Sequence, residues 1–368
     1  MKVSLNVKFL QGPYGGGMQF AFSLKEFLTQ QGITVVNTLK EDDIDIILHI
    51  APLPFQEICS YTYLDAFIYQ IEHPKTLIIL RVNECDERKK THYMNQALIE
   101  AGNYIDGVVF ISTWLKELFE KQGFRKDIPS RVILNGADTS IFNMHEKKKW
   151  DQNSKIKVVT HHWGGNMMKG HDVYEQLDAL ITTDEEIRSK FEFTFIGNIP
   201  ENVHYIHTKT IQPLSGKTLA DELKTHHVYL TATQNEPAGM HHIEGALCGL
   251  PIVFLDSGAL PEYCSQYGII FKKDNFRNVL LEMYTDYDKY FEQIKLYPNT
   301  AQKMCREFYE FFLDMSKEGS ERQRPPKHTS YPWSIPWIRT LSFFRFMLLN
   351  TNVALDTTKK LLYAKLKK

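Results

Sequence analysis

Along the chain, short apolar runs alternate with stretches in which apolar residues recur every three or four positions. The first pattern is that of buried strands and the second that of amphipathic helices. Their alternation predicts βα units built on parallel sheets. In the first half, strands are expected at 3–10, 44–50, 76–81, 107–111 and 131–134. A helix is expected at 18–31, where Phe20, Phe22, Leu24, Phe27 and Leu28 carry the spacing. Another is expected at 112–122, with Ser112 as N-cap and Trp114, Leu115, Leu118 and Phe119 as the stripe.

Residues 143–154 are polar and without period, and are read as an interdomain linker. A second αβ series follows, with strands expected at 155–159, 191–196, 203–206, 228–231, 251–255 and 268–271. Helical patterns lie at 169–181, 219–224, 240–250 and 276–283, and long ones run from 287 to 315.

Composition changes this picture little. The 368 residues suit about two domains. A net charge of −1 argues against nucleic-acid binding through a global field. Cys59, Cys85, Cys248, Cys264 and Cys305 are odd in number, scattered and without metal-ligand spacing, so they are read as reduced thiols of a cytoplasmic protein. The opening residues alternate like a strand and are broken by Asn6 and Lys8, unlike a signal peptide. No stretch has the length and apolarity of a membrane span.

The last segment differs. From Glu321 to the end there are ten basic residues against two acidic ones, a formal +8. Within it Ile338, Leu341, Phe344 and Leu348 fall at helical spacing behind Trp333 and Trp337. This is the pattern of a basic amphipathic segment that lies on an anionic membrane surface, and equally of a helix that packs back onto the domains.

The residues with chemistry are concentrated in Glu236-Pro237-Ala238-Gly239-Met240-His241-His242-Ile243-Glu244. Pro237 disfavours helix for Glu236, while Met240, Ile243, Leu247 and Leu250 follow at helical spacing. Glu236 is therefore expected on a loop at a strand's carboxyl end, with Glu244 about a turn into a helix. Backbone N–H groups of Ala238, Gly239 and Met240 lie between them as a site for phosphate. One carboxylate would accept hydrogen bonds from sugar hydroxyls and the other from a ribose diol. The plain alternative is a solvated pair of glutamates flanking a helix start.

The stretch resembles the E-x7-E signature of retaining GT-B glycosyltransferases of the family 4 type. So does its continuation through Ala246, Gly249, Pro251 and Ile252 to Gly258-Ala259-Leu260-Pro261-Glu262. Other runs resemble that family in order along the chain. Gly15-Gly16-Gly17 follows the first strand and would let backbone approach the sugar and diphosphate. Phe110 to Leu115 matches the step before Asn135-Gly136-Ala137-Asp138, which with Phe142 marks the exit of the first domain. Lys169-Gly170 resembles the pair whose lysine holds the diphosphate. The arginine usual about five residues before it is absent, and a histidine such as His162, Asn166, or Arg81 of the facing domain would stand in. Asn83 occupies about the place of a donor-contacting histidine, and the runs at 81–89 and 161–170 are similar to those of bacterial polysaccharide transferases.

The resemblance implies an α/β GT-B fold: two Rossmann-like, doubly wound parallel-sheet domains facing a central cleft. The expected divisions are 1–148 on the acceptor side, 149–318 for the nucleotide-sugar, and a tail at 319–368. It implies transfer of a sugar from a nucleotide-sugar donor, the co-substrate, to a glycan, lipid-linked or other acceptor, with retention. Glu236 and Lys169 would be catalytic, Glu244 would hold the ribose, and no cofactor or essential metal is expected. The location would be cytoplasmic or peripheral at the inner face of the membrane. The paired histidines 161–162, 226–227 and 241–242 lack a helical H-E-x-x-H context. The D-x-D strings at 43–45 and 286–288 sit at a strand entry and in a helical run, which fits chance better than metal binding. The alternatives are a non-catalytic nucleotide- or sugar-binding protein and an epimerase on the same fold.

Overall fold

The computed structural model describes residues 1–10 and 16–321. Gly15 and the basic aromatic segment beyond 321 lie outside the described residues, and with them the expectation of a membrane-binding tail. Among the described residues, no helix is long and apolar enough to cross a membrane.

The chain divides into two compact units, 1–133 with 305–321, and Leu134–Met304. The first holds strands β1 (Lys2–Leu5), β2 (Thr34–Val36), β3 (Ile46–His49), β4 (Leu77–Val82), β5 (Gly107–Phe110) and β6 (Ser130–Val132). They form one sheet in the order β2-β1-β3-β4-β5-β6, with every pairing parallel. β3, β4 and β5 are buried along their whole length, because helices cover both faces of such a sheet. β2 escaped the sequence reading. It is three residues long at the sheet edge and partly exposed, so Val35 and Val36 make too short an apolar run to stand out.

The second unit holds β7 (Ile156–His162), β8 (Phe191–Gly197), β9 (Lys209–Ile211), β10 (Val228–Thr231), β11 (Ile252–Leu255) and β12 (Gly268–Phe271). Their order is β12-β11-β10-β7-β8-β9, again all parallel. Counted from the unit's own first strand, this is the doubly wound Rossmann order, which reverses direction between β7 and β10.

Two expectations shift. The strand expected at 203–206 is a loop, and the edge strand is Lys209–Ile211. Asp178 explains this: its carboxylate accepts from the backbone N–H groups of Ile206, His207 and Thr208 at 2.7–2.9 Å, which takes those donors out of any ladder. The join expected near 148 falls inside the second unit. Trp150 is buried there against Tyr284 and Tyr287, and Ala137 bridges Thr300 within the same unit, so the polar stretch is anchored at both sides.

The helix Ala301–Glu321 contributes its residues from 305 onward to the first unit. Phe308 packs at 4.9 Å against Phe20 with the rings tilted, Arg131 pairs with Asp314 at 2.8 Å, and Phe311 and Met315 cover Gly107. Phe308 and Phe312 are fully buried. Each such side chain contributes about 1.5–3 kcal/mol, so this segment belongs to the core of the unit that the chain began.

Candidate functional site

Ligands of doubly wound sheets bind beyond the carboxyl ends of the strands, where the strand order reverses. In the second unit that place lies between β7 and β10. The loop after β7 carries Lys169, and the loop after β10 carries Glu236. The chain brings the two loops together through backbone and side chain. The Gln234 N–H donates to the Met168 carbonyl at 2.9 Å, and Lys169 Nζ donates to Glu236 Oε2 at 2.9 Å. Residues 67 positions apart thus form one buried ion pair.

Local geometry sets each partner. Lys169 ends a single 3-10 turn, Met167–Lys169, which closes on Gly170 in the left-handed region at φ 93°. A side chain at Gly170 would stand 2.5 Å from the Ala232 carbonyl oxygen, so the glycine of the Lys-Gly pair is what lets this loop lie against the strand end of β10. Glu236 sits in the loop that follows β10, after Asn235 in the left-handed region (φ 50°), where asparagine is one of the few residues tolerated. Its carbonyl accepts from the Ala259 N–H at 2.9 Å, and Asn235 N–H donates to Ser257 Oγ. The 257–262 run therefore supports the glutamate loop from beneath.

Gly258 (φ 61°) lies so close that a Cβ there would meet the Glu236 backbone N and O at 2.5 Å. Gly258→Ala is expected to lower stability by about 1–3 kcal/mol, the scale of a side chain forced into strained backbone. Chemical denaturation would read it, and an unchanged midpoint would mean the loop has room that this packing denies.

Glu244 lies in the helix His241–Leu247, all of whose residues are buried. Its Oε2 accepts from His161 Nε2 at 2.8 Å, at the carboxyl end of β7, and Tyr229 Oη on β10 lies 3.0 Å from His161 Nδ1. Glu236 is 2 % and Glu244 4 % exposed. Both carboxylates are interior groups, and the reading of a solvated glutamate pair does not describe them.

Burial disfavours the charged form of two histidines here. His241 donates to or accepts from Thr231 Oγ1 at 2.8 Å, and burial together with the neighbouring His162, His242 and Lys169 holds it well below the ordinary imidazole range. Burial pushes His242 down to about 3. His162 is buried, 2.7 Å from Tyr174 Oη and packed on Phe195. It is tied into the sheet layer and does not face out beside Lys169. Asn166 is exposed in the loop after β7, beside the half-exposed Trp163, whose carbonyl is held by Asn198. Ala238 is fully buried, and Gly239 and Met240 are half-buried at the start of the helix.

The remaining candidates belong to the first unit. Gly16 and Gly17 open the helix Gly16–Gln30 that follows β1. Arg81 is buried in β4 with its guanidinium 4.0 Å over the Phe20 ring, a cation–π contact. Asn83 is half-buried just after the strand. The charges that follow it are largely structural. Glu84 pairs with Arg88 and Lys89, and Asp86 accepts from the N–H groups of Tyr93, Met94 and Asn95 at the next helix's start. The D-x-D strings are likewise engaged locally, Asp43 with Lys2 and Asp288 with Lys149.

Sequence reasoning missed His161, Tyr229 and His241 as parts of the site. His161 and Glu244 are 83 positions apart, and no periodicity links them. The available signal was a polar residue at the end of the apolar strand β7.

No family model matches the chain, and no curated protein sequence matches it. Solved structures do. Sucrose-phosphate synthase from Thermosynechococcus elongatus matches with a TM-score of 0.55 at 13 % identity, over 87 % of this chain and 98 % of that one. HepE of Anabaena, in complex with UDP and glucose, matches at 0.55 and 14 %, over 87 % and 98 %. A glycosyltransferase from Rickettsia africae matches at 0.58 and 13 %, over 86 % and 98 %. The two parallel six-stranded sheets, with their helices, thus have the GT-B fold of two Rossmann-like domains.

Proposed function

We propose that the protein is a glycosyltransferase that takes a sugar from a nucleotide-sugar donor and passes it, with retention at the anomeric carbon, to a glycan or lipid-linked acceptor. The observation that carries this reading is the pair of buried carboxylates at the strand-order reversal of the second unit, one against Lys169 and the other against His161. Buried charges are costly unless they are paired or used, and such groups gathered in one place mark functional sites.

In this reading Glu236 accepts from hydroxyls of the transferred sugar, and Glu244 from the ribose diol. Lys169 neutralises charge that grows on the departing diphosphate, helped by backbone N–H groups around Gly239. The lysine supplies the cation at the leaving group, so no divalent metal is required. Arg81, Asn83 and Asn166 are assigned to substrate contacts.

A thermal-shift screen against UDP-, GDP-, ADP- and CMP-sugars tests the reading. A ligand that binds only the native state at 100 times its Kd stabilises by about 2.7 kcal/mol, which is on the order of 5–10 °C for a domain of this size. One base is expected to stand out, and release of its nucleoside diphosphate should follow on adding acceptor. No shift with any of the four donors would end the proposal, and a shift without turnover would favour a binding protein. The HepE structure holds UDP, so uracil is the base to try first.

A further inference from the structure

The Glu244 carboxylate is held from one side only. Oε2 accepts from His161 Nε2 at 2.8 Å, and among the described residues no hydrogen bond reaches Oε1. The side chain is 6 % exposed, and Oε1 is not among the buried polar atoms that lack a partner, so it is the oxygen left open to a ligand.

The proton positions along the chain of groups follow from chemistry. An ionised carboxylate only accepts, so His161 must carry its proton on Nε2. In the neutral imidazole Nδ1 then accepts, and its neighbour at 3.0 Å is the Tyr229 hydroxyl, which donates. Burial pushes the Tyr229 phenol well above its ordinary range, so it keeps that proton. The Tyr229 oxygen in turn accepts from the His161 backbone N–H at 3.2 Å. The imidazole is also boxed in by rings, with Tyr229 edge-on at 5.6 Å and His241 at 6.3 Å. β7 and β10 are adjacent parallel strands, so one imidazole and one phenol from neighbouring strands fix a single tautomer and a single rotamer.

We infer that His161 and Tyr229 are positioning residues for Glu244: they lock one carboxylate oxygen and thereby present the other to the ribose diol of the donor. The inference rests on the nucleotide-sugar reading above. A glutamate has three side-chain torsions, and fixing them in the free protein removes their ordering from the cost of binding.

Calorimetry with a nucleoside diphosphate and its 2′,3′-dideoxy analogue separates this from a merely structural role. The probe is uridine diphosphate, or the diphosphate of whichever base the donor screen selects. Wild-type protein is expected to prefer the diol about 10- to 100-fold, the scale of hydrogen bonds to a charged group. Glu244→Ala should abolish the preference. His161→Ala should cut it about tenfold, with affinity for the dideoxy analogue changed less than about twofold. His161→Gln returns an amide N–H near the place of Nε2 and should restore most of the preference. Tyr229→Phe, which keeps the ring and its packing, should cost a few-fold, and it carries the test should His161→Ala not fold. If Glu244→Ala erases the preference while the His161 and Tyr229 variants keep it, or lose both ligands equally, the positioning role is wrong and the ribose reading stands. If Glu244→Ala retains the preference, or the wild type has none, the ribose reading itself fails.

Discussion

Lys169→Ala is expected to lower the stability of the second unit and its turnover together. The lysine and Glu236 are 11 % and 2 % exposed in their side chains, 2.9 Å apart. Removing the cation takes a partner at 2.9 Å from a buried carboxylate, a change that costs about 3–5 kcal/mol. For a unit of this size that is a fall in melting midpoint on the order of 10 °C. Turnover should drop about 10²–10³-fold, the scale of deleting one preorganised group that stabilises charge in a transition state. Affinity for the nucleoside diphosphate should fall much more than affinity for the nucleoside. Two effects of one substitution need separating, and the double replacement Lys169→Met with Glu236→Gln does so. It removes both charges from the interior and should recover most of the stability, with none of the turnover. An unchanged midpoint in Lys169→Ala would mean that the pair is not formed in solution. Normal turnover would remove the lysine from the leaving group.

Glu236→Gln is expected to act on turnover far more than on folding. The amide keeps the shape of the side chain, and its carbonyl still accepts from Lys169. The loop is held through the Glu236 backbone carbonyl and the neighbouring Asn235 N–H, which the substitution leaves alone. The loss of stability should therefore stay near about 1–3 kcal/mol, that of one weakened charged hydrogen bond. The sugar hydroxyls lose a charged acceptor, which lowers turnover about 10- to 150-fold. Steady-state kinetics with the donor found by the screen would read it, and wild-type rates in Glu236→Gln would take that residue out of the site.

The structure alters what these substitutions mean. From sequence, Glu236 reads as a loop residue whose loss leaves the fold untouched. In the structure it is an interior group with a structural debt to Lys169, so kinetics alone would mislead unless stability is measured beside them. His162 illustrates the same point. Its sequence position beside Lys169 suggests a second cationic contact, but burial against Tyr174 and Phe195 places it in the sheet layer.

The sequence by itself determined the class of fold and the places of the two glutamates in it. Buried parallel strands must be apolar along their length, so β3, β4, β5, β8, β10, β11 and β12 are written as local runs, and the helices between them as local periods. Pro237 after Glu236, and the glycines at 170 and 258, are local statements about backbone shape. They mark the turns that carry the site. What only the tertiary structure decided are the pairings between distant residues: Lys169 with Glu236, His161 with Glu244 and Tyr229, Asp178 with the loop that displaces a strand to Lys209–Ile211, and residues 305–321 with the unit that the chain began. Periodicity records which face of an element is buried and is silent on what buries it. A charged or polar side chain carries no period at all, so its partner appears only once strand order has set the ends of β7 and β10 side by side.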